Sequence, residues 1–489
     1  MIGRRALLVA SGFASGLAQA DQPRRLDPAA MGPLTRAADS GTNAIWLARP
    51  DGRVPVLVGS HNWTAPFQDY RSGDPPPQLD FAQFLEWYRA NAWTFVRGWR
   101  WENTRDGTWN SAPHPWRRTG PGTANDGHPK FDLTTFDVTW DRRYQQRLQA
   151  LADADIYVSV MLYNQWSINA SETATKNNWL SHPCHPDNNI NGINALGGDK
   201  LDWAYNLGNA SLMAVHEAYL RHMIDLCNPY DNVIYETCNE PLNTTMHVSF
   251  FRWVVEFIHS YQENHKTRRH PVWFSTPAPW TIGPNDGTEQ DNAAAVDSNA
   301  DIAGVYLDER SPRLNGNRPW IADIDHSFGM GGSPDWCWRM LTRGCQGVLN
   351  MDSLAGTGIS NPLDFDAALH NPPRGMLDNR FAMTAIRLSI DRVGGSLRDF
   401  GPNISFASTS FALVKPGVSC VVYNPDGGHF TIDLLGWSGG FQATWLKARD
   451  SLVSWVSGVV VQGGASRTMN PPPEFLGNAS VLLLTPVPY

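Results

Sequence analysis

The sequence predicts a (β/α)8 barrel, the TIM-barrel fold, followed by a small antiparallel β-sandwich. Eight short apolar segments rich in β-formers recur along the chain, and amphipathic helical stretches separate them. Strands that alternate with helices form a parallel sheet, and eight such units close into a barrel. After about residue 400 the helical pattern gives way to closely spaced strands and turns. We therefore expect a barrel over residues 21–397 and a sandwich domain over residues 398–489.

The predicted barrel strands are short runs of apolar, β-branched and aromatic residues bounded by glycine, proline or polar residues. They lie near residues 54–59, 94–98, 156–162, 233–237, 271–275, 302–306, 320–325 and 347–351. The interval between the sixth and seventh runs is short and contains Pro312, Gly316 and Pro319, which leaves little room for a helix. We expect a degenerate sixth unit there.

Between these runs, apolar residues recur at the three- and four-residue spacing of a helix. Four such groups are Phe81, Phe84, Leu85 and Tyr88; Leu148, Leu151 and Ala152; Leu212, Val215, Tyr219 and Met223; and Phe250, Val254, Phe257, Ile258 and Tyr261. A further helical stretch covers residues 376–393 and ends the predicted barrel.

The C-terminal region consists of short apolar runs separated by turn residues. The runs lie near residues 411–414, 420–423, 430–434, 441–445 and 481–485. Asp426-Gly427 is typical of tight turns between paired strands, so it predicts a hairpin between the runs that flank it. Together these features predict a small antiparallel sandwich.

The composition disfavours some classes of partner and points to another. The chain has 489 residues and a net charge of −8, and Arg4 and Arg5 are the charged residues of its first twenty, so a chain without that segment would carry −10. An acidic balance argues against a nucleic-acid partner, which needs a basic face. The chain also has 21 tryptophans. Because flat indole rings stack well on the apolar faces of sugars, this number is one indication of a carbohydrate partner.

The N-terminus predicts export. Arg4 and Arg5 precede a run of small and apolar residues, and Ala-Gln-Ala before Asp21 matches the cleavage site of a secretory signal peptide. We expect residues 1–20 to form that signal and the protein to be secreted or periplasmic; the arginine pair is also compatible with a twin-arginine signal. The alternative is a disordered cytosolic terminus. No later segment reaches 18 uninterrupted apolar residues, so no membrane span is predicted.

The cysteines and histidines form no strong redox or metal motif. The chain has six cysteines, and none has Cys-x-x-Cys spacing. Most are expected to be buried thiols, with Cys227 and Cys238, or Cys337 and Cys345, as candidate disulfides. Residues 182–185, His-Pro-Cys-His, resemble a metal motif, but no second ligand cluster has metal spacing. We therefore expect neither a metal nor another cofactor.

The fourth predicted strand ends in residues 235–241, Tyr-Glu-Thr-Cys-Asn-Glu-Pro. In a (β/α)8 barrel the functional side chains follow the carboxyl ends of the strands. Glu240 is therefore expected in the barrel mouth, beside an amide, Asn239, that can bind a sugar hydroxyl. Enclosure there favours the neutral carboxylic acid that a proton donor needs. The alternative is a carboxylate that caps the following helix.

The seventh predicted strand carries a second acidic group. Side chains alternate along a strand, so Asp323 and Asp325 share one face, with Asp325 nearer the mouth. A carboxylate opposite Glu240 completes the pair that glycoside hydrolysis requires; a separation of about 5 Å would give retention of configuration, and about 6.5 Å or more would give inversion. We expect Asp325 to be the nucleophile, with Asp323 as an alternative. Asp325 could instead orient His326 or an arginine.

Polar and aromatic residues follow several other predicted strands, and we expect them to bind the substrate. With Asn239 and Asp323, these residues are His61, Trp63, Arg97, Trp101, Glu102, Asn164, Trp166, His326 and Asp352. Arg97 could hold the nucleophile in its ionised form, and the tryptophans could line sugar subsites. Each of these residues could also belong to the core or the rim of the barrel.

Asn239-Glu240 after the fourth strand, with an acid after the seventh, resembles the clan of retaining (β/α)8 glycoside hydrolases that includes cellulases and β-mannanases. Residues 58–63 (Val-Gly-Ser-His-Asn-Trp), 235–241 and 323–329 (Asp-Ile-Asp-His-Ser-Phe-Gly) are similar to segments of apiosidase-like, cellulase-like bacterial proteins. The strand-rich C-terminal region is similar to the sandwich of those proteins, which carries a collagen-binding family name. Binding of collagen is not predicted from that name.

The resemblance implies that Glu240 is the acid/base, that Asn239 binds substrate beside it, and that Arg97 corresponds to the clan's arginine on strand two. The clan usually has glutamate at the end of strand seven, whereas this chain has Ile324 between two aspartates. The nucleophile could therefore also be Glu309 or Asp352.

Taken together, these features predict an exported glycoside hydrolase that acts on a poly- or oligosaccharide by a retaining mechanism. One alternative is a non-catalytic glycan-binding barrel, which the replacement of glutamate by aspartate favours and the intact Asn239-Glu240 disfavours. The other is a metal-dependent barrel hydrolase, which the lack of a His-x-His pair on the first strand disfavours.

Overall fold

The structure is a computed structural model. It describes residues 32–37, 45–61, 63, 66–168, 178–194, 204–242, 244–275, 295, 297–305, 318–324, 333–351, 374–449 and 454–487. The predicted signal segment, residues 1–20, lies outside the described residues, as does most of the predicted sixth unit between strands six and seven.

The first part of the chain forms the predicted (β/α)8 barrel. Its strands are β1 (Leu57–His61), β2 (Phe95–Gly98), β3 (Tyr157–Asn164), β4 (Val233–Asn239), β5 (Val272–Phe274), β6 (Ile302–Val305), β7 (Trp320–Ile324) and β8 (Gly347–Met351). All eight belong to one sheet in which successive strands from β2 to β8 pair in parallel and β8 pairs with β1. The ring closes where the backbone N–H of Thr94 donates to the carbonyl of Val58 at 2.9 Å. The eight predicted strands are thereby confirmed.

Six helices in the described residues cover this sheet. They are α1 (Phe81–Ala90) after β1, α2 (Val138–Asp153) after β2, α3 (Ala210–Cys227) after β3, α4 (Thr245–His265) after β4, α5 (Pro334–Thr342) after β7 and α6 (Arg374–Arg392) after β8. A side chain at the N-cap of each of the first five accepts a hydrogen bond from a backbone N–H of the first turn, which satisfies one of the donors that a helix start leaves open. These caps are Asp80, Asp137, Asn209, Thr244 and Ser333.

The interior of the barrel has an apolar layer near the amino ends of the strands. Each strand contributes one fully buried side chain to it: Leu57, Phe95, Tyr157, Ile234, Trp273, Ile302, Ile321 and Leu349. Because side chains alternate along a strand, the next inward position lies two residues closer to the carboxyl end. On β2, β3, β4 and β7 that position is polar: Arg97, Ser159, Glu236 and Asp323. An apolar layer at the amino ends of the strands therefore lies beneath a polar layer nearer their carboxyl ends.

The segments that follow β1 and β2 add antiparallel structure to the barrel. Trp109–Ala112 pairs with both Asp69–Ser72 and Arg105–Asp106, and Trp116–Thr123 pairs with Pro129–Phe136. Near the N-terminus, Thr35–Arg36 pairs with Leu47–Ala48. None of these strands was among those predicted.

The C-terminal region forms two antiparallel sheets that face one another. Its strands are β9 (Gly401–Pro402), β10 (Ala412–Lys415), β11 (Ser419–Asn424), β12 (Phe430–Asp433), β13 (Gly440–Lys447), β14 (Trp455–Gln462), β15 (Ser466–Met469) and β16 (Ser480–Pro486). Six lie in the order β9-β10-β11-β16-β13-β14, and β12 pairs with β15. A shared apolar cluster, which includes Phe430, Ile432, Trp445 and Leu482, fills the space between the sheets. This confirms the predicted C-terminal antiparallel structure.

The hairpin predicted at Asp426-Gly427 is wrong. The strands on either side of it, β11 and β12, belong to different sheets and do not pair. Gly427 has φ +65°, and a Cβ at this position would lie 2.3 Å from the backbone oxygen of Asn478. The glycine therefore serves a close approach of two backbone segments where the chain crosses between sheets.

The disulfides considered for the cysteine pairs do not form. All six cysteines are free and buried, as the expectation of buried thiols requires. Burial raises the pKa of Cys184, Cys227, Cys238 and Cys420 above the ordinary thiol value. Within the described part of the chain, no helix combines the length and apolar character needed to cross a membrane.

Candidate active site

The acid predicted at the end of strand four lies directly after β4. Glu240 is only 6 % exposed, and its backbone has φ +46°, a left-handed conformation that is uncommon outside glycine. Its carboxylate oxygen Oε2 accepts a hydrogen bond of 2.5 Å from the indole Nε1–H of Trp166. The carboxyl group therefore has a fixed contact with the segment that follows β3.

A buried ion-pair network lies inside the barrel beneath this level. The guanidinium of Arg97 on β2 donates to Glu236 on β4, with Nη2 to Oε1 at 2.5 Å and Nε to Oε1 at 2.9 Å. Its Nη1 donates to Oδ2 of Asp323 on β7 at 2.5 Å. Ser159 and Ser275 donate to Glu236 at 2.8 and 3.2 Å. One cation thus compensates two carboxylates directly above the apolar layer of the barrel interior.

The two carboxylates of this network differ in accessibility. The side chain of Glu236 is 0 % exposed, whereas that of Asp323 is 15 % exposed. Asp323 is therefore the one of the pair that a molecule in the mouth could touch.

Aromatic side chains form a continuous cluster beside these acids. Tyr70, Trp99, Trp101 and Met161 are buried in it, and Trp63, Trp109 and Trp166 pack on it while remaining partly exposed. Ring centroids are 4.6 Å apart for Tyr70 and Trp101 and 6.3 Å apart for Trp63 and Trp99. The three partly exposed tryptophans offer the flat apolar surfaces on which sugar rings stack.

Glu102, which follows β2, is part of the structural support of the mouth. It is buried, and its Oε1 accepts from the backbone N–H of Asn164 at 2.8 Å and from the hydroxyl of Tyr205 at 3.1 Å. The ring of His182 lies 3.4 Å from Oε2. Burial alone would raise the pKa of Glu102, but the nearby charge of Arg100 and these hydrogen bonds hold the pKa below its ordinary value.

Asn239 and Asn164 link the ends of β4 and β3. The amide Nδ2 of Asn239 donates to Oδ1 of Asn164 at 3.2 Å, and both side chains are fully buried. The same Oδ1 accepts from the backbone N–H of Trp166 at 3.2 Å. The residue before Glu240 and the residue that contacts Glu240 therefore share one acceptor.

The structure brings together most of the predicted site residues. Those it describes at the mouth or just beneath it are Trp63, Arg97, Trp101, Glu102, Asn164, Trp166, Asn239, Glu240 and Asp323. His61 ends β1. Asp325, His326 and Asp352 lie outside the described residues, as does Glu309.

Several residues of the site were missed by the sequence argument. Glu236 and Ser159 could have been predicted from the alternation of side chains along a strand. Glu236 lies four residues before Glu240, and Ser159 lies two residues after Tyr157, so each points into the barrel like that residue. Tyr70 and Trp109 carry no such signal, since they lie on two paired antiparallel strands outside the barrel, one after β1 and one after β2.

Residues 182–185, which had a superficial metal-like spacing, take part in this packing. His182 faces Glu102, and its Nδ1 accepts from the backbone N–H of Cys184 at 3.1 Å. Among the described residues, no group of three or more His, Cys, Asp or Glu side chains is arranged to hold a metal ion.

Comparison of the sequence with known proteins gives one family match. A family model described as a domain of unknown function, DUF6298, matches residues 105–277. No curated protein sequence shows significant similarity to the chain.

Similar solved structures extend over almost the whole chain. One described as a glycoside hydrolase is 12 % identical with a TM-score of 0.56, covering 95 % of this chain and 99 % of that one. A family 5 glycoside hydrolase from Bacteroides vulgatus is 13 % identical with a TM-score of 0.56, covering 94 % and 95 %. A candidate glycoside hydrolase from the same bacterium is 11 % identical with a TM-score of 0.61, covering 94 % and 83 %. At these identities the likeness establishes the (β/α)8 fold of the chain.

Proposed function

We propose that the protein is a glycoside hydrolase that cleaves O-glycosidic bonds of a poly- or oligosaccharide with retention of configuration. The observation that carries this proposal is that Glu240, directly after β4, contacts Trp166 of the aromatic cluster, while β7 carries the acid Asp323 on the inward face of the same barrel. Paired carboxylates flanking the scissile bond are what this reaction requires. The similar solved structures, which are described as glycoside hydrolases, agree with it.

In the proposed first step, a carboxylate of the β7 segment attacks the anomeric carbon while Glu240 donates its proton to the leaving oxygen. The bond between the anomeric carbon and that oxygen breaks, and a glycosyl ester with the enzyme forms. In the second step, Glu240, now a carboxylate, removes a proton from water as the water attacks the anomeric carbon. The ester bond breaks, and both carboxyl groups return to their starting states.

Asp325 is the proposed nucleophile, and Asp323 is the alternative. Asp323 and Glu236 contact the same guanidinium, so Asp323 lies at the depth of Glu236, four residues before Glu240. At roughly 3.3 Å per residue of strand, four residues correspond to about 13 Å, whereas the two carboxyls of a retaining enzyme lie about 5–5.5 Å apart. A carboxylate farther along the chain therefore fits the reaction better.

Two observations keep Asp323 as the alternative nucleophile. Its ion pair with Arg97 favours the charged form that a nucleophile needs. Its side chain is also partly exposed toward the mouth.

The sugar is proposed to bind to residues around these acids. Trp63 and Trp166 offer exposed ring surface. The other proposed ligands, as expected from the sequence, are Asn239, His61, Arg97, Trp101, Glu102, Asn164, Asp323, His326 and Asp352.

The test is hydrolysis of a panel of aryl glycosides and plant and microbial polysaccharides by the wild type and three variants, Glu240→Gln, Asp323→Asn and Asp325→Asn. Loss of the general acid should lower the rate about 100- to 10,000-fold on substrates with poor leaving groups. Glu217→Gln, at an exposed helix position paired with Arg221, is the matched control and should leave the rate unchanged.

Added azide distinguishes the two aspartates. In the variant that lacks the nucleophile, azide should restore turnover of an activated substrate and yield a glycosyl azide of inverted configuration, because one displacement replaces two. If the wild type binds glycans but releases sugar from no substrate, the proposal fails in favour of a non-catalytic glycan-binding barrel.

We also propose that the protein is exported and acts outside the cytoplasm, in the periplasm or the medium. This rests on the N-terminal pattern of residues 1–20. Sequencing of the N-terminus of the mature protein from fractionated cells tests it: a start at Asp21 in the exported fraction supports export, and an intact Met1 in the cytosol contradicts it.

A further inference from the structure

The side chain of Trp166 makes a specific contact with the carboxyl group proposed as the acid/base. Trp166 lies in the 3-10 turn Gln165–Ile168, directly after β3. Its Nε1–H reaches Oε2 of Glu240 at 2.5 Å. An indole nitrogen can donate a hydrogen bond but cannot accept one. Oε2 must therefore act as the acceptor in this contact, whichever protonation state the carboxyl group has.

Both backbone polar groups of Trp166, its N–H and its carbonyl, form hydrogen bonds with asparagine side chains. Its N–H donates to Oδ1 of Asn164 at 3.2 Å, and its carbonyl accepts from Nδ2 of Asn178 at 2.9 Å. Asn164 and Asn178 are both buried, so these bonds are shielded from competing water. The indole is thus presented to Glu240 from a fixed backbone.

Asn164 is held in turn by buried groups that follow β2. Its backbone N–H donates to Glu102 at 2.8 Å, and its Nδ2 donates to the carbonyl of Arg100 at 2.9 Å. The backbone N–H of Glu102 donates to the hydroxyl of Ser167 at 2.8 Å, which closes the link back to the turn that carries Trp166. These groups connect the carboxyl ends of β2 and β3 to the residue that follows β4.

We propose that Trp166 is a positioning residue for the acid/base step: its indole N–H fixes the orientation of the Glu240 carboxyl group and keeps the transferable proton on Oε1. This inference rests on the proposed function and deepens it. A carboxylic acid whose Oε2 accepts a hydrogen bond carries its proton preferentially on the other oxygen, and a proton donor must be aimed at the leaving oxygen to be effective. The exposed face of the ring remains available to the sugar, but the N–H does not.

A substituent that leaves readily without protonation distinguishes this role from simple sugar binding. Proton donation accelerates the departure of a poor leaving group such as phenol far more than that of 2,4-dinitrophenol. A variant that misorients the acid should therefore be impaired on a phenyl glycoside and nearly normal on the 2,4-dinitrophenyl glycoside of the same sugar. A variant that loses sugar stacking should be impaired on both.

The experiment compares Trp166→Phe, which keeps an aromatic ring and removes the N–H, with the wild type on these two glycosides of the sugar that the wild type releases fastest. Loss of a hydrogen bond to an ionisable group should lower kcat/KM about 10- to 100-fold on the phenyl glycoside. On the dinitrophenyl glycoside we expect kcat/KM, which reports the first step alone, to change by less than about threefold, because this leaving group departs without protonation. On the phenyl glycoside the loss should lie in kcat rather than in KM. Trp253→Phe, on the outer helix α4, is the matched control and should change neither rate.

A second measurement uses the Glu240→Gln background. If Trp166 acts through Glu240, then adding Trp166→Phe to Glu240→Gln should not lower the residual rate on the phenyl glycoside further, although Trp166→Phe alone lowers that rate. Equal losses of Trp166→Phe on both glycosides, a rise in KM with unchanged kcat, or additive losses in the double variant would overturn the inference. Normal activity of Glu240→Gln on the phenyl glycoside would instead overturn the proposed function.

Discussion

Arg97 shows how one buried side chain organises the barrel interior. A charge removed from water is costly unless it is paired and hydrogen-bonded. Arg97 meets this condition by bonding Glu236 through Nε and Nη2 and Asp323 through Nη1. Because the guanidinium is planar, these bonds also fix the direction in which each acid approaches. The position of the β7 acid is therefore coupled to β2 and β4.

A buried histidine ties stability to pH at the scale of a single residue. His216 on α3 lies 2.7 Å from the carbonyl of Ala204 through Nε2, and its Nδ1 lies 3.1 Å from the hydroxyl of Tyr163. The carbonyl can only accept, so the neutral ring carries its proton on Nε2. Burial, which disfavours the charged ring, lowers the pKa of His216 to about 4 from the ordinary value of 6.5.

This lowered pKa predicts a loss of stability in mild acid. Between pH 6.5 and pH 4 the unfolded chain binds a proton that the folded protein does not, so the free energy of unfolding falls as the pH is lowered. At 1.36 kcal/mol per pKa unit, His216 accounts for about 3 kcal/mol of that fall. Urea unfolding at pH 7.5 and pH 4.5 should therefore show a smaller pH effect in His216→Gln than in the wild type. An equal pH effect in the two proteins would contradict the prediction, and the exposed His128→Gln serves as the control.

At the scale of elements, barrel closure depends on a glycine in β1. A Cβ at Gly59 would lie 1.8 Å from the backbone oxygen of Phe95, the first residue of β2. Real Cβ atoms do not approach a carbonyl so closely, so a larger residue must push β1 and β2 apart. The requirement arises only because the first two strands meet where the ring closes.

Gly59→Ala should therefore weaken the whole barrel. We expect a loss of about 1–3 kcal/mol or more in the free energy of unfolding, the range found when well-packed cores are overfilled. Gly428→Ala is the control, because nothing lies within 4 Å of a Cβ at that position and its backbone is not left-handed. Urea denaturation of both variants gives the measurement, and equal midpoints for Gly59→Ala and the wild type would show that β1 and β2 can separate at no cost.

The elements also show which local patterns were sufficient for prediction. The barrel strands were found because buried parallel strands are continuous apolar runs. The strands of residues 105–136 were missed because they are mostly polar on both faces, for example Trp116–Thr123. Asp426-Gly427 predicted a hairpin because a turn dipeptide reflects only the local preference of the backbone. The pairing partner of each flanking strand depends on packing between the sheets, and β11 pairs with β16 while β12 pairs with β15.

At the scale of the whole molecule, the barrel and the C-terminal sheets share one apolar cluster. Trp336 and Met340 of α5 belong to the same cluster as Val421 and Leu483 of β11 and β16. Polar contacts run along this junction as well. Asp335 accepts from the hydroxyl of Tyr423 at 2.5 Å and pairs with the guanidinium of Arg449.

A shared core predicts that the two parts unfold together. Differential scanning calorimetry should give one transition, with equal calorimetric and van't Hoff enthalpies, because melting either part exposes the apolar face of the other. Asp335→Asn should lower the transition temperature without dividing the transition. Two resolved transitions in the wild type would show that the junction contributes little to the stability of either part.

The sequence by itself determined the strand count, the order of the elements, the C-terminal sheets and the position of Glu240 after β4. These depend on the period of apolar residues and on a short motif, both of which are local. Tertiary structure alone decided that Arg97 bonds Glu236 and Asp323, which lie 139 and 226 residues away, and that Trp166 contacts Glu240 across 74 residues. The contacts of Arg97 follow from the closure of the ring, because only a closed barrel brings side chains from non-neighbouring strands onto one axis. The contact of Trp166 follows from the pairing of β3 with β4, whose register places Asn164 beside Asn239.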